Sequence, residues 1–246
     1  MNKTENMKVK PQIIEHESFA NLFTKNNEIF TKLFGRNKFG ADLIKFGTLV
    51  GRINSVCEKL MPEYIDTYPD DYNKPGSGLN RFKGDVFEIF INAFLLILGS
   101  NANVAVYGYE PVEKKNDWGV DGHGKGSDDK ALTVQVKFRS EYGMELKSED
   151  IGQFPYQSIL AYGVEINNPN NLLLITSCKG LNPITATQVF RGTIREINGE
   201  MIRNLIDDNR VFWKNLLDII DNTIKCKYGH DRFYSVGLMN TSLCEE

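Results

Sequence analysis

Asp121, Gln135 and Lys137 supply an acid, an amide and an amine from two short segments, DWGVDG at 117–122 and LTVQVKF at 132–138. Hydrolysis of a phosphodiester needs a hard divalent cation held by oxygen ligands, a water made nucleophilic, and a positive charge beside that water or the scissile phosphate. These residue types meet the requirement. Asp121 would bind the metal directly, and the Gln135 side-chain oxygen or the Val136 backbone carbonyl would complete the shell. Lys137 would orient the water and offset developing charge. A further carboxylate, Glu88, would hold a metal-bound water or a second metal.

Such residues act together only if the elements that carry them converge. Leu132, Val134, Val136 and Phe138 alternate with Thr133, Gln135, Lys137 and Arg139. That period of two, with its β-branched residues, predicts a strand from which Gln135 and Lys137 project on one face. Gly122, Gly124 and Gly126 predict a loop between two strands, which sets Asp121 at the end of one strand beside its hairpin partner. Glu88 lies in the stretch Asn80 to Leu98, which is apolar on most sides and predicts a largely buried helix ending near Gly99. On it Arg81, Asp85, Glu88 and Asn92 recur at spacings of four, three and four, a polar stripe along an apolar cylinder. Glu88 in that stripe either serves the site or pairs with a nearby Arg or Lys. Asp121 and Lys137 could likewise form a plain ion pair on the hairpin.

A helix Glu, then GVDG, then QVK, in that order, resembles the signature of the PD-(D/E)XK nuclease superfamily, and in detail its Mrr-like restriction endonuclease branch. In that branch the GxD turn is often preceded by an acidic residue, matched by Asp117, and the third motif is frequently QxK. Further on, NLLLITSCKGLNPITATQVF is similar to the strand and helix that complete the family's sheet, and Gln153 and Gln157 fall on the helix after the catalytic strand. The resemblance covers roughly residues 80 to 190 and neither flank.

What the resemblance implies is an α/β fold, a mixed central sheet flanked by helices, with helical N-terminal and C-terminal extensions. It implies Mg²⁺-dependent cleavage of DNA, with Mn²⁺ able to substitute. The metal site would comprise Asp121, Gln135, Val136 and Glu88, with Lys137 as catalytic cation. Gln135 departs from the commonest pattern and removes one negative charge, which leaves one or two metals open. Expected DNA contacts are Lys125 and Lys130 on the hairpin and Arg139 and Lys147 after the strand, each equally readable as a solvated surface charge. A two-fold homodimer is expected, because one metal site per chain must cut two strands, and the helical flanks are its expected interface. Sequence-specific restriction and structure-specific junction cleavage are not separated by these residues.

Composition sets the wider bounds. A chain of 246 residues, 41% hydrophobic and 25% charged, buries a full core without staples and reads as globular. Its net charge of −3 excludes a protein that coats nucleic acid by bulk positive charge, so contact must be a local patch. Cys57, Cys178, Cys226 and Cys244 lack zinc or disulfide spacing, and MNKTENMKVK has no apolar signal region, so a reduced, intracellular (cytoplasmic) setting is expected. The longest apolar run, Ile89 to Leu98, is about half the roughly 20 residues that span a bilayer, and no membrane partner is expected.

Helical spacing over Phe19 to Phe34 and over Leu43, Phe46, Val50, Ile53, Cys57 and Leu60 predicts a helical N-terminal region, 1–75, closed by the loop IDTYPDDYNKPGSG. A nuclease core at 76–195 and a C-terminal helical region at 196–246 follow, the latter with two helices marked by Met201, Leu205, Phe212, Leu216, Ile219 and Ile220. Within the core, Val104 to Tyr107 reads as a short strand and Asn171 to Thr176 as a buried central one. Ser148 is expected to cap a helix running through Leu160, with a kink at Pro155.

Other polar residues have weaker claims. His123 sits in a glycine-rich segment where solvated polar residues are the rule, and His16 and His230 lack partners at ligand spacing. GHGKGS lacks the spacing of a nucleotide-binding phosphate loop. Two rival functions remain: a catalytically silent DNA-binding protein that keeps the fold, and a virion or assembly component in which the helical flanks dominate.

Overall fold

A computed structural model of the chain describes residues 33, 46–67, 78–112, 119–165, 167–168 and 170–217. Most of the expected first helix, together with Leu43, Asp117, Ile219, Ile220, His16, His230, Cys226 and Cys244, lies outside the described residues.

Among the described residues, five strands form one mixed sheet in the order β1-β2-β3-β4-β5. β1 (Tyr107–Pro111), β2 (Gly122–Lys125) and β3 (Ala131–Lys137) are antiparallel neighbours. β4 (Leu172–Thr176) runs parallel to β3, and β5 (Arg195–Ile197) parallel to β4. The fold is α/β with a mixed central sheet flanked by helices, as expected.

One face of the sheet is covered by α2 (Gly78–Leu98), against which α1 (Phe46–Thr67) packs. Leu49, Ile53, Cys57 and Leu60 bury one stripe of α1, at the spacing of about one turn that an amphipathic helix requires. α1 runs on through Ile65, Asp66 and Thr67, residues expected in the loop, because no breaker occurs there until Pro69. In α2, Val86, Phe87, Phe90 and Phe94 are buried in one cluster with Val134 and Val136 of β3. Phe87 lies 5.4 Å from Phe138, ring centre to ring centre.

The opposite face carries α3 (Ser148–Ile151) and α4 (Phe154–Tyr162). A single helix from Ser148 through Leu160 does not form: Gly152, at φ +56°, breaks it. Pro155 sits in the first turn of α4, where its missing N–H leaves no hydrogen bond unmade. Lys147 takes the cap position instead of Ser148, its N–H donating to Asp150 Oδ2 at 2.7 Å. Ile151 and Phe154 pack with Leu172 and Leu174 in a second core.

Two strand assignments change. Val104 and Ala105 turn rather than extend: Ala105 has φ +48°, the Val106 N–H donates to the Gly99 carbonyl at 2.8 Å, and the strand begins at Tyr107. Gly122 to Lys125 is itself a strand rather than a loop. Its glycines answer to crowding, because a Cβ at 122 would lie 2.3 Å from the Tyr109 hydroxyl and one at 124 would lie 2.8 Å from the Tyr107 carbonyl.

After β5, Asn198 accepts from the Glu200 and Met201 N–H groups and starts α5 (Gly199–Ile206). Its buried residues are Ile202 and Ile206, while Met201, expected inside, is exposed. Residues 210–217 are again helical and bury Phe212, Trp213 and Leu216 in the same core as α1 and α2. Cys57 and Cys178 are free, buried thiols. No helix among the described residues is long and apolar enough to cross a membrane.

Candidate active site

β2 and β3 pair Gly122 with Val134, and Asp121, the residue just before β2, meets the same stretch of β3. There the ladder becomes irregular. The Asp121 N–H donates to the Val134 carbonyl at 2.9 Å, and the Asp121 carbonyl accepts from the Val112 N–H at 3.0 Å. Its carboxylate then replaces a backbone acceptor, with Oδ2 accepting from the Val136 N–H at 2.5 Å. Asp121 is 8% exposed, so this bond forms in a setting where an unmet N–H would be costly.

Gln135 is 2% exposed, and its Oε1 has no hydrogen-bond partner among the described residues. Gly119 lies beside it: a Cβ there would be 3.7 Å from Gln135 Nε2 and 3.9 Å from the Phe154 nitrogen at the start of α4. Thr133, two residues back, faces the same way and donates to Ser158 Oγ at 2.7 Å, which confirms the expected alternation of β3.

Lys137 is half-buried at the end of β3, level with Thr176 of β4. Its carbonyl accepts from Thr176 Oγ1 at 2.8 Å and from the Ser177 N–H at 3.3 Å. Ser177 Oγ also accepts from the Arg139 N–H at 2.7 Å and donates to the Arg139 carbonyl at 2.8 Å. Residues 137–139 are thereby clamped to the end of β4. Thr176 and Ser177 were not singled out in the sequence, where they read only as the polar end of an apolar strand.

Glu88 approaches from α2, on the opposite face of the sheet from Thr133. The link to Asp121 is Tyr109, whose buried hydroxyl donates to Asn92 Oδ1, one helical turn beyond Glu88. Burial first, and then the Glu88 and Asp121 carboxylates, push the Tyr109 phenol well above its ordinary value. Both carboxylates therefore lie within electrostatic reach of one hydroxyl.

The four expected DNA contacts divide by position. Lys125 and Lys130 flank the turn at the far end of β2 and β3, about 20 Å from Lys137 at the usual rise per residue. Lys125 pairs with Asp129 at 2.8 Å and Lys130 with Glu165 at 2.7 Å. Arg139 lies at the Lys137 end and pairs with Asp150, and Lys147 lies 3.8 Å from Glu149. His123, paired across the hairpin with Thr133, lies tilted against Tyr162 with ring centres 5.1 Å apart and sits 3.9 Å from Glu110. Gln157 donates to Gln153 Oε1 at 3.2 Å on the exposed side of α4.

Among the described residues no three His, Cys, Asp or Glu side chains converge as a metal set. A cation here would rest on Asp121 together with neutral oxygens. Gln135 Oε1 fits that role, because a buried acceptor with no donor is what a cation or its water would satisfy. No protein-family model matches the chain, and no curated protein matches its sequence.

Proposed function

We propose that the chain is a divalent-metal-dependent nuclease that hydrolyses DNA phosphodiesters. The observation that carries this reading is the buried, unpartnered Gln135 Oε1 on β3, the strand whose next residue, Val136, binds the Asp121 carboxylate through its N–H, with Lys137 two residues along. Asp121 and Gln135 would hold Mg²⁺ or Mn²⁺ with the Val136 carbonyl, whereas Glu88, carried by α2 on the other face of the sheet, does not share a cation with Gln135. When bound, the cation supplies Lewis-acid polarisation of a phosphoryl oxygen.

The chain's own residues supply the rest. Lys137 offers an ammonium group that orients the attacking water and offsets charge on the phosphate. The Thr176 and Ser177 clamps hold its backbone, so little reorganisation accompanies the reaction. Val136 fixes the Asp121 carboxylate through its N–H. DNA as substrate rests on the resemblance of GVDG and QVK to the nuclease motifs, and a homodimer follows from the need to cut two strands. An intracellular setting agrees with the free thiols of Cys57 and Cys178.

A second reading, a silent DNA-binding protein, is favoured by the bond from the Val136 N–H to Asp121. That bond gives Asp121 a structural task independent of catalysis. Incubation of the full chain with supercoiled and linear DNA, with Mg²⁺, Mn²⁺ or chelator, separates the two. Cleavage only with metal supports the nuclease. DNA retention without cleavage under any of these conditions supports the second reading.

A further inference from the structure

At the far end of the hairpin from Lys137, the turn joining β2 to β3 meets the segment that leads into β4. Asn171 stands at that meeting, 1% exposed, and both its side-chain Oδ1 and its Nδ2 lack a hydrogen-bond partner among the described residues. Its backbone is satisfied: the N–H donates to the Asn168 carbonyl at 3.1 Å, and the carbonyl accepts from the Thr133 N–H at 2.9 Å. A buried amide with neither group met is costly unless something else fills the space beside it. Gly126 supplies that space. A Cβ there would lie 3.0 Å from Asp128 Oδ1, 3.7 Å from the Asn170 carbonyl oxygen and 3.9 Å from Asn171 Oδ1. Three oxygens from two segments thus face one small gap. Gly126 does not take a positive φ, so its backbone does not demand a glycine. What the missing side chain provides is room beside oxygens.

We propose that this gap is a binding site for a monovalent cation, K⁺ or Na⁺, separate from the candidate active site and independent of the nuclease reading. The donors are of the right kind, because carbonyl oxygens can replace the hydration shell of such an ion. Charge sets the valence. Asp129 is paired with Lys125 at 2.8 Å and Glu165 with Lys130 at 2.7 Å. Asp128 instead accepts from neutral amides, the Lys130 backbone N–H at 3.2 Å and Asn168 Nδ2 at 2.6 Å. One carboxylate with neutral oxygens balances a single positive charge, whereas calcium-type sites draw on several carboxylates. The cation meets Asn171 Oδ1, water in its shell accepts from Nδ2, and the turn at 126–130 is tied to the residues before β4.

The test follows the melting temperature of the full chain as K⁺ or Na⁺ replaces tetramethylammonium at constant ionic strength, so that screening is unchanged. In the parent, K⁺ or Na⁺ should raise it saturably, by about 2–4 °C at roughly ten times the dissociation constant. Gly126→Ala fills the gap with a methyl group that meets first only the tip of the Asp128 side chain. Asn171→Leu removes the amide oxygen at similar size. Both variants should lose the response, and where one does not fold the other decides. A parent that melts alike in all three salts overturns the proposal and leaves a buried water as the partner of Asn171. A response that survives in either variant overturns it as well, because the ion then acts elsewhere. Stabilisation by Ca²⁺ alone, lost in Gly126→Ala, overturns the assignment of a monovalent ion.

Discussion

The Val136 N–H donates to Asp121 Oδ2 at 2.5 Å, so the side chain of one hairpin strand completes the backbone ladder of the other. The same bond fixes the carboxylate that the candidate metal site needs most. Asp121→Asn keeps an oxygen for this N–H, whereas Asp121→Ala leaves it buried and unmet. The alanine variant should lose about 1–3 kcal/mol of stability and the asparagine variant much less. Urea denaturation of both variants checks this. Equal midpoints for the two would show that the bond does not support the hairpin.

Gln135 Oε1 is a neutral, unpartnered acceptor at 2% exposure. Gln135→Glu would place a carboxylate in this buried, donor-free position, which costs stability without a cation and favours binding one. Melting temperature should fall without metal and rise more on Mg²⁺ addition in the variant than in the parent, since a ligand stabilises the state that binds it. Identical Mg²⁺ shifts in both proteins would remove Gln135 from the metal site.

Much of this arrangement is legible in the amino-acid sequence alone. β3 declared itself through strict alternation and β-branched residues, and that alternation alone placed Gln135 and Lys137 on one face. α1 and α2 followed from their apolar spacing. β2 was hidden because Gly122-His123-Gly124-Lys125 has the composition of a loop; its glycines exist to admit Tyr109 and the β1 backbone, contacts distant in sequence. The break at Gly152 and the turn at Ala105 depend on positive φ angles, and the spacing of apolar residues does not report those. Thr176, Ser177 and Tyr109 entered the site only through hydrogen bonds across elements.

Arg139 lies near the Lys137 end of the hairpin, whereas Lys125 and Lys130 lie at the other. A duplex seated on the candidate site should meet Arg139 first. Arg139→Ala should weaken DNA binding and reduce the slope of log affinity against log salt by about 1, with Lys125→Ala leaving that slope unchanged. Fluorescence anisotropy across a salt series decides it. The reverse pattern would seat the DNA on the turn at 126–130.

Burial pushes the Glu196 carboxyl above its ordinary value of 4.5, against a smaller opposing effect of the Leu181 N–H that it accepts at 2.6 Å. A raised carboxyl pKa means that the folded chain holds this proton when the unfolded chain has lost it. Its effect on stability is therefore favourable near and below the ordinary value and is lost as pH rises through the folded pKa. Glu196→Gln, which keeps an acceptor for Leu181, should melt higher than the parent at neutral pH, with the gap closing toward pH 4.5. A gap that is constant with pH would contradict this.

The most direct measurement of the central claim is cleavage of plasmid and linear duplex with Mg²⁺ by the parent, Asp121→Asn and Lys137→Ala, beside calorimetric metal titration of all three. Asp121→Asn should abolish cleavage and weaken metal binding while the fold survives. It should also bind DNA at least as tightly as the parent, because it removes a negative charge that repels phosphate. Lys137→Ala should keep metal binding and lose turnover by about 10²-fold or more. Cleavage by Asp121→Asn at the parental rate would contradict the account and leave Asp121 as a purely structural residue of the hairpin.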